Sequence, residues 1–118
     1  MKTLTFTVET GKPDSHGDII NLDGVKIPDK VPVTIEWDHQ RFIGNSIVSK
    51  EGDELKATAE IPDKFLDAYP AIGFTAIKYE TMEGGGKRFD EMKLYEVSLS
   101  SRPNANPDIK TIREQTEK

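Results

Sequence analysis

Residues 31–37 read VPVTIEW, and this stretch decides the fold class of the chain. Its apolar residues fall at every second position from Val31 to Trp37, with Pro, Thr and Glu between them. Side chains alternate between the two faces of a β-strand, so this pattern predicts a strand with one buried face. Further strands are predicted wherever the alternation recurs or β-branched and aromatic residues concentrate, which is at residues 4–8, 42–49, 55–61, 71–80 and 87–101.

Glycines punctuate these runs at hairpin distance, as EGD at residues 51–53 and EGGG at residues 83–86. One short helix is predicted at residues 63–69, between Pro62 and Pro70. The fold class expected is therefore mainly β: a small antiparallel β-barrel or sandwich of six to seven strands with one short helix. The predicted core comprises Phe6, Val8, Val33, Ile35, Trp37, Leu55, Ala57, Ile61, Ile72, Phe74, Val97 and Leu99.

The C-terminal segment differs in composition from the rest of the chain. We predict one β domain over residues 1–107 and a tail or arm over residues 108–118, where Ile109 and Ile112 are spaced for one helix face. This segment is either a frayed end or an arm that orders against a neighbour. Either alternative assumes that the two isoleucines find few apolar side chains to pack against within so small a domain.

The composition excludes several classes of function. A chain of 118 residues with 31% charged residues fits one domain with a modest core. The net charge of −5 argues against nucleic-acid binding, which needs clustered Lys and Arg. Cys is absent, which excludes disulfides and thiolate catalysis. No apolar stretch resembles a signal peptide or a membrane span, so we expect a protein made in a cytoplasm, without membrane contact.

Few residues suggest chemistry when each is taken alone. The two histidines, His16 and His39, lack the spacing of metal ligands, and the Gly-rich residues 84–86 lack the spacing of a phosphate loop, so neither a metal nor a cofactor is predicted. His39 at a strand end is most simply a hydrogen-bonded turn residue. Glu96 is most simply a surface residue of the last strand, although a carboxylate among apolar neighbours needs a partner.

Taken in order, several short motifs resemble the prohead maturation protease family of tailed bacteriophages, which is related in fold to the herpesvirus assemblins. The resemblance spans residues 4–107, and no single motif is specific. The motifs are DSHGDII at residues 14–20, VPVTIEWDH at 31–39 with Ile-Gly at 43–44, AIGF at 71–74, LYEVSL at 94–99 and RPNA at 102–105. By this resemblance His39 occupies the position of the catalytic histidine and Glu96 that of its acidic partner.

The chain departs from the family where the family has Ser-Ile-Gly-Phe. Ala71 stands at the position of the serine nucleophile, and a methyl group can neither attack a carbonyl nor form an acyl-enzyme. The stretch between His39 and Ala71 also looks shorter than in active members. Thr75 or Ser98 could replace the serine in principle, but nucleophile geometry tolerates little displacement.

The resemblance therefore implies two functions. The first is a non-enzymatic capsid-associated protein, a decoration (cement) or assembly protein built on a prohead-protease-like fold. Its partner would be a major capsid or scaffold protein, it would lie in the virion or prohead, and it would be made in the bacterial host cytoplasm. Many copies on a capsid lattice would gain avidity from weak contacts. The alternative is an active serine-type prohead protease with a displaced nucleophile, cutting scaffold or capsid precursors.

Overall fold

The computed structural model describes residues 2–117, which form one mixed β-sheet with short helical segments. The strands are β1 (Lys2–Thr10), β2 (Ile19–Ile20), β3 (Val25–Lys26), β4 (Val31–Ile35), β5 (Asp38–Glu51), β6 (Glu54–Ile61), β7 (Tyr69–Thr81) and β8 (Lys87–Ser100). The helical segments are two 3-10 turns, Leu22–Gly24 and Asp63–Phe65, and the α-helix α1 (Ile112–Thr116). Within the described residues no helix is long and apolar enough to cross a membrane.

The mainly β class predicted from the sequence is confirmed, but the closed barrel is wrong. The main path of the sheet runs β1-β6-β5-β4-β8-β2, and β3 and β7 pair with β8 off this path. Strand β1 pairs only with β6, so the two ends of the path do not join and the sheet is open. Alternation reports which face of a strand is buried and carries no information about whether the outermost strands meet.

Strand β8 organises the sheet, and the sequence did not predict its parallel neighbours. It pairs antiparallel with β7 and parallel with β2, β3 and β4. The two-residue strands β2 and β3 raise the count to eight, above the six or seven predicted. Segments this short are defined by the hydrogen bonds that β8 offers them, because two residues are too few to show an alternating pattern.

The core lies on one face of this sheet and agrees with the predicted set at most positions. The exception is Trp37, which is 44% exposed, and Phe74 is only partly buried. Trp37 falls outside β4, because that strand ends at Ile35 and the chain turns there. The sequence analysis also left out Met92 and Leu94 of β8, which are fully buried.

The C-terminal segment packs against its own chain, so the expectation that its isoleucines have little to bury was wrong. Ile109 and Ile112 are both buried, and Ile112 joins the main core cluster. Gln115 of α1 accepts a hydrogen bond from the Thr7 main-chain N–H and donates one to the Thr7 carbonyl. The helix predicted at residues 63–69 is only a 3-10 turn, and the one α-helix within residues 2–117 lies in the segment expected to be a tail.

Candidate functional site

The turn between β4 and β5 shapes the candidate site. Its two central residues, Glu36 and Trp37, have φ angles of 51° and 63°. Positive φ at both positions defines the two-residue hairpin turn that normally selects Asn-Gly, and residues other than Gly adopt it at a cost of about 1–3 kcal/mol each. Neighbouring groups must therefore hold this turn in place.

The end of strand β8 and the residue that follows it supply those groups. The Ser101 N–H and the Ser100 hydroxyl donate to the Glu36 carboxylate at 2.7 and 3.1 Å, and the Trp37 N–H donates to the Ser98 hydroxyl at 2.9 Å. The bond from the Ser101 main chain holds the pKa of the Glu36 carboxyl below its ordinary value, and Arg41 adds to this at longer range. The turn is thereby fixed over the polar side of β8.

His39, two residues beyond this turn, lies over the carboxylate of Glu96. Its Nε2 is 3.8 Å from Glu96 Oε1, while Thr34 donates to Oε2 of the same carboxylate at 2.7 Å. The histidine side chain is 67% exposed and the glutamate side chain only 2% exposed. A buried carboxylate beneath an accessible imidazole supplies the residue types of an acid and a general base, but 3.8 Å is longer than a hydrogen bond.

A β-bulge brings Tyr95 into the same site. Gly73 of β7 pairs with Glu96 and the next residue, Phe74, pairs with Leu94, so Tyr95 is the extra residue. A Cβ at Gly73 would lie 2.7 Å from Glu96 Cγ and 3.0 Å from Tyr95 Cζ, so both side chains crowd the space above this glycine. Tyr95 also stacks against His39, with 6.3 Å between ring centroids.

Ala71 lies two residues before Gly73 on the same strand face. It pairs with Ser98, just as Gly73 pairs with Glu96, so the position of the expected nucleophile is next to the His39–Glu96 pair on this side of the sheet. Ser98 is fully buried and its hydroxyl accepts the Trp37 N–H. Thr75, the other substitute considered, lies beyond the bulge on the exposed part of β7.

A groove of about 630 Å³ opens beside Ala71. Apolar side chains from the turn and from the β7–β8 hairpin line it, together with the segment that follows β8. Four carboxylates and one guanidinium also line the groove: Glu9, Asp14, Asp18, Glu36 and Arg102. The other histidine, His16, is exposed in the turn that follows Asp14, and its main-chain N–H donates to the Asp14 carboxylate. It is far in sequence from His39 and Glu96.

Sequence reasoning missed two residues that build this site. Thr34 was assigned only to the polar side of its strand, and Gly73 was noted only as part of a motif. The alternating pattern of residues 31–37 could have identified Thr34, because it places Thr34 and Glu36 on the same face of the predicted strand. Nothing in the sequence shows that β4 pairs with β8, which brings Thr34 to Glu96.

Comparisons with protein-family models, with curated proteins and with solved structures found no match to this chain. The family resemblance therefore depends on the short motifs described above.

Proposed function

We propose that this chain is a non-enzymatic phage capsid-associated protein, a decoration or assembly protein built on a prohead-protease-like fold. The observation that carries the proposal is that His39 lies 3.8 Å from Glu96 and that Ala71 lies beside them. An imidazole beside an acid has no hydroxyl to activate at this position, so the arrangement lacks the group that forms the acyl-enzyme.

The surroundings of the two substitute hydroxyls support the same proposal. The Ser98 hydroxyl is inaccessible to a substrate and serves as the acceptor that fixes the β4–β5 turn. Thr75 is exposed, but it pairs with Lys93 on the far side of the bulge from Glu96. Moving a reacting group by about 1 Å already costs roughly a hundredfold in rate, so neither hydroxyl suits an inherited catalytic geometry.

The surface around His39 is suited to binding. Trp37 and Tyr95 are each 44% exposed, and Phe42 of β5 is also exposed on this part of the sheet. Aromatic side chains supply large contact areas at low conformational cost and are enriched at the centres of protein interfaces. A capsid or scaffold protein presented in many copies would amplify such a contact by avidity.

Labelling with a fluorophosphonate tests whether only the nucleophile is missing. We expect no labelling of the wild type, labelling of Ala71→Ser, and loss of that labelling in the double variant Ala71→Ser/His39→Gln. Ala76→Ser, at an exposed position on the same strand, is the matched control and stays unlabelled. Wild-type cleavage of a purified capsid precursor, abolished by Thr75→Ala or Ser98→Ala, would favour the alternative of an active protease.

Association with particles tests the proposed function directly. The purified chain is mixed with proheads and mature particles, and co-sedimentation is followed by a density map of the decorated particle. We expect density for the chain at repeated lattice positions. A chain that remains in the supernatant with both kinds of particle contradicts a capsid function.

A further inference from the structure

One long edge of the sheet is open. Strand β1 pairs on one side only, but Gln115 of α1 bonds the main chain of Thr7 on the other. Strands β2 and β3 span two residues each. Strand β7 spans 13 residues and, among the described strands, pairs only with β8. A long unpaired edge is a template for another strand, and natural proteins cover it or disrupt it.

The two halves of this edge differ. Beyond Ala76 the edge is interrupted by two register shifts and carries Lys78 and Glu80, which are the usual devices against pairing. Before Thr75 there is one register shift, between Gly73 and Phe74, but no such charges, and Ala71, Ile72 and Phe74 line the groove described above. The part of the edge that has no strand partner and no charges therefore faces the groove, although the Ile72 side chain itself is buried.

The hydrogen-bond pattern shows which main-chain groups face the groove. The Leu99 carbonyl accepts from Glu36 N–H, and Pro70, opposite Leu99, gives its carbonyl to the Asn104 side chain at 2.9 Å. Pro70 and Leu99 therefore exchange no main-chain hydrogen bonds with each other. Because bonded and non-bonded pairs alternate along two antiparallel strands, Ile72, two residues further on, also directs its N–H and carbonyl away from β8. No other group within residues 2–117 bonds the main chain of Ile72 on that side.

The groove carries an excess of negative charge. None of the ion pairs within the described residues includes any of its four carboxylates, and Arg102 is the one cation among its lining residues. Burial raises the pKa of the Glu9 carboxyl, and the nearby charge of Asp14 acts in the same direction. A cationic group entering the groove would relieve this repulsion.

We propose that the edge of β7 at Ile72 binds an extended, basic peptide segment as an added strand. Main-chain bonds to Ile72 would give affinity, apolar side chains of the segment would pack on Phe74 and Trp37, and Lys or Arg would pair with the carboxylates. The inference rests on the proposed function only for the source of the peptide, a capsid or scaffold protein.

The test uses the full chain, labelled with ¹⁵N, and a capped eight-residue peptide that alternates Lys and Val. Two further peptides are controls: one with Glu in place of Lys, and one N-methylated at alternate residues so that one edge cannot hydrogen-bond. We expect the Lys-Val peptide to shift the amide resonances of Ile72 and Phe74 and slow the hydrogen exchange of Ile72. Both control peptides should bind at least tenfold more weakly.

Charge variants separate the groove from general acidity. Asp14→Asn/Asp18→Asn keeps the oxygen acceptors that these side chains provide to His16, Asp18 and Lys87 while removing two charges. It should weaken peptide binding at least fivefold without lowering the melting temperature. The matched control removes two exposed charges outside the groove, Asp29→Asn/Glu83→Gln, and should bind as the wild type does.

Three results of the peptide titrations overturn the inference: equal binding of the Glu-Val peptide, amide shifts confined to another strand, or no binding of the Lys-Val peptide. Shifts at Ile72 that depend on protein concentration alone would assign the edge to a second copy and would also overturn it. Failure with peptides alongside retained particle association would leave the proposed function standing. Peptide binding without particle association would reject the proposed function and leave the edge site.

Discussion

Near its C-terminal end, strand β8 buries an apolar face and a polar face, and the two are stabilised differently. Val97 and Leu99 point into the core, where removing apolar area from water provides the free energy. Glu96 and Ser98 point to the other side, where they are as deeply buried. There each polar group has a partner, and no buried side-chain nitrogen or oxygen among the described residues lacks one.

The stability of the polar face depends on where its hydrogen-bond partners lie, whereas that of the apolar face depends on the area that it buries. An apolar face tolerates exchange between side chains of similar volume, because hydrophobic burial is not directional. A buried carboxylate tolerates little, because losing one hydrogen-bond partner leaves a desolvation cost of about 1–3 kcal/mol or more. The β4–β5 turn, strained at Glu36 and Trp37, provides the partners of this face and builds the candidate site with them.

The largest effect is expected on the apolar face. Leu99→Ala should lower the free energy of unfolding by about 2–5 kcal/mol, because Leu99 is fully buried and its removal leaves a cavity. Urea titration at neutral pH measures the change. The control is Ile47→Ala at an exposed position of β5, which should change the free energy of unfolding by less than about 0.5 kcal/mol. Equal effects of the two substitutions would show that this face of β8 is not the core.

A smaller effect is expected at the junction of the polar face with β7. Gly73→Ala should cost about 1–3 kcal/mol, because its Cβ would lie 2.7 Å from Glu96 Cγ and 2.9 Å from Glu96 Oε1. Gly11→Ala is the matched control, since its Cβ would come no closer than 3.7 Å to another group. Urea titration of both variants, with the imidazole resonances of His39 followed in parallel, checks the prediction. An unchanged midpoint in Gly73→Ala would mean that Glu96 is not held as described.

The smallest effect concerns the strained turn and depends on pH. Since the pKa of Glu36 is lowered in the folded chain, its contribution to stability is present above the pKa of the unfolded state, about 4, and is lost as pH falls through the folded value. The free energy of unfolding of Glu36→Gln should therefore fall less steeply than that of the wild type between about pH 5 and pH 2, the range in which carboxyl groups titrate. Urea midpoints of wild type and variant across this interval provide the measurement. Parallel curves would contradict the assigned hydrogen bonds.

The sequence predicted the apolar face far better than the polar one. Alternation in residues 31–35 and 55–61 indicated the inward positions correctly, because period-two burial is a local property of an extended chain. Trp37 was misassigned because the alternating pattern continues through it while the backbone turns at Glu36. A turn built from Glu-Trp carries none of the usual Gly or Asn signal.

By itself the sequence determined that this is a mainly β chain and which side chains its strands bury. It also placed His39, Ala71 and Glu96 in one set by resemblance, without a distance between any two of them. Only the tertiary structure decided that β8 lies between β4 and β7, that the sheet stays open and that Ile112 enters the core. The physical reason is that the pairing of β4 with β8 joins residues far apart in the sequence, such as Thr34 and Ser98, and their hydrogen bonds leave no local pattern in the sequence.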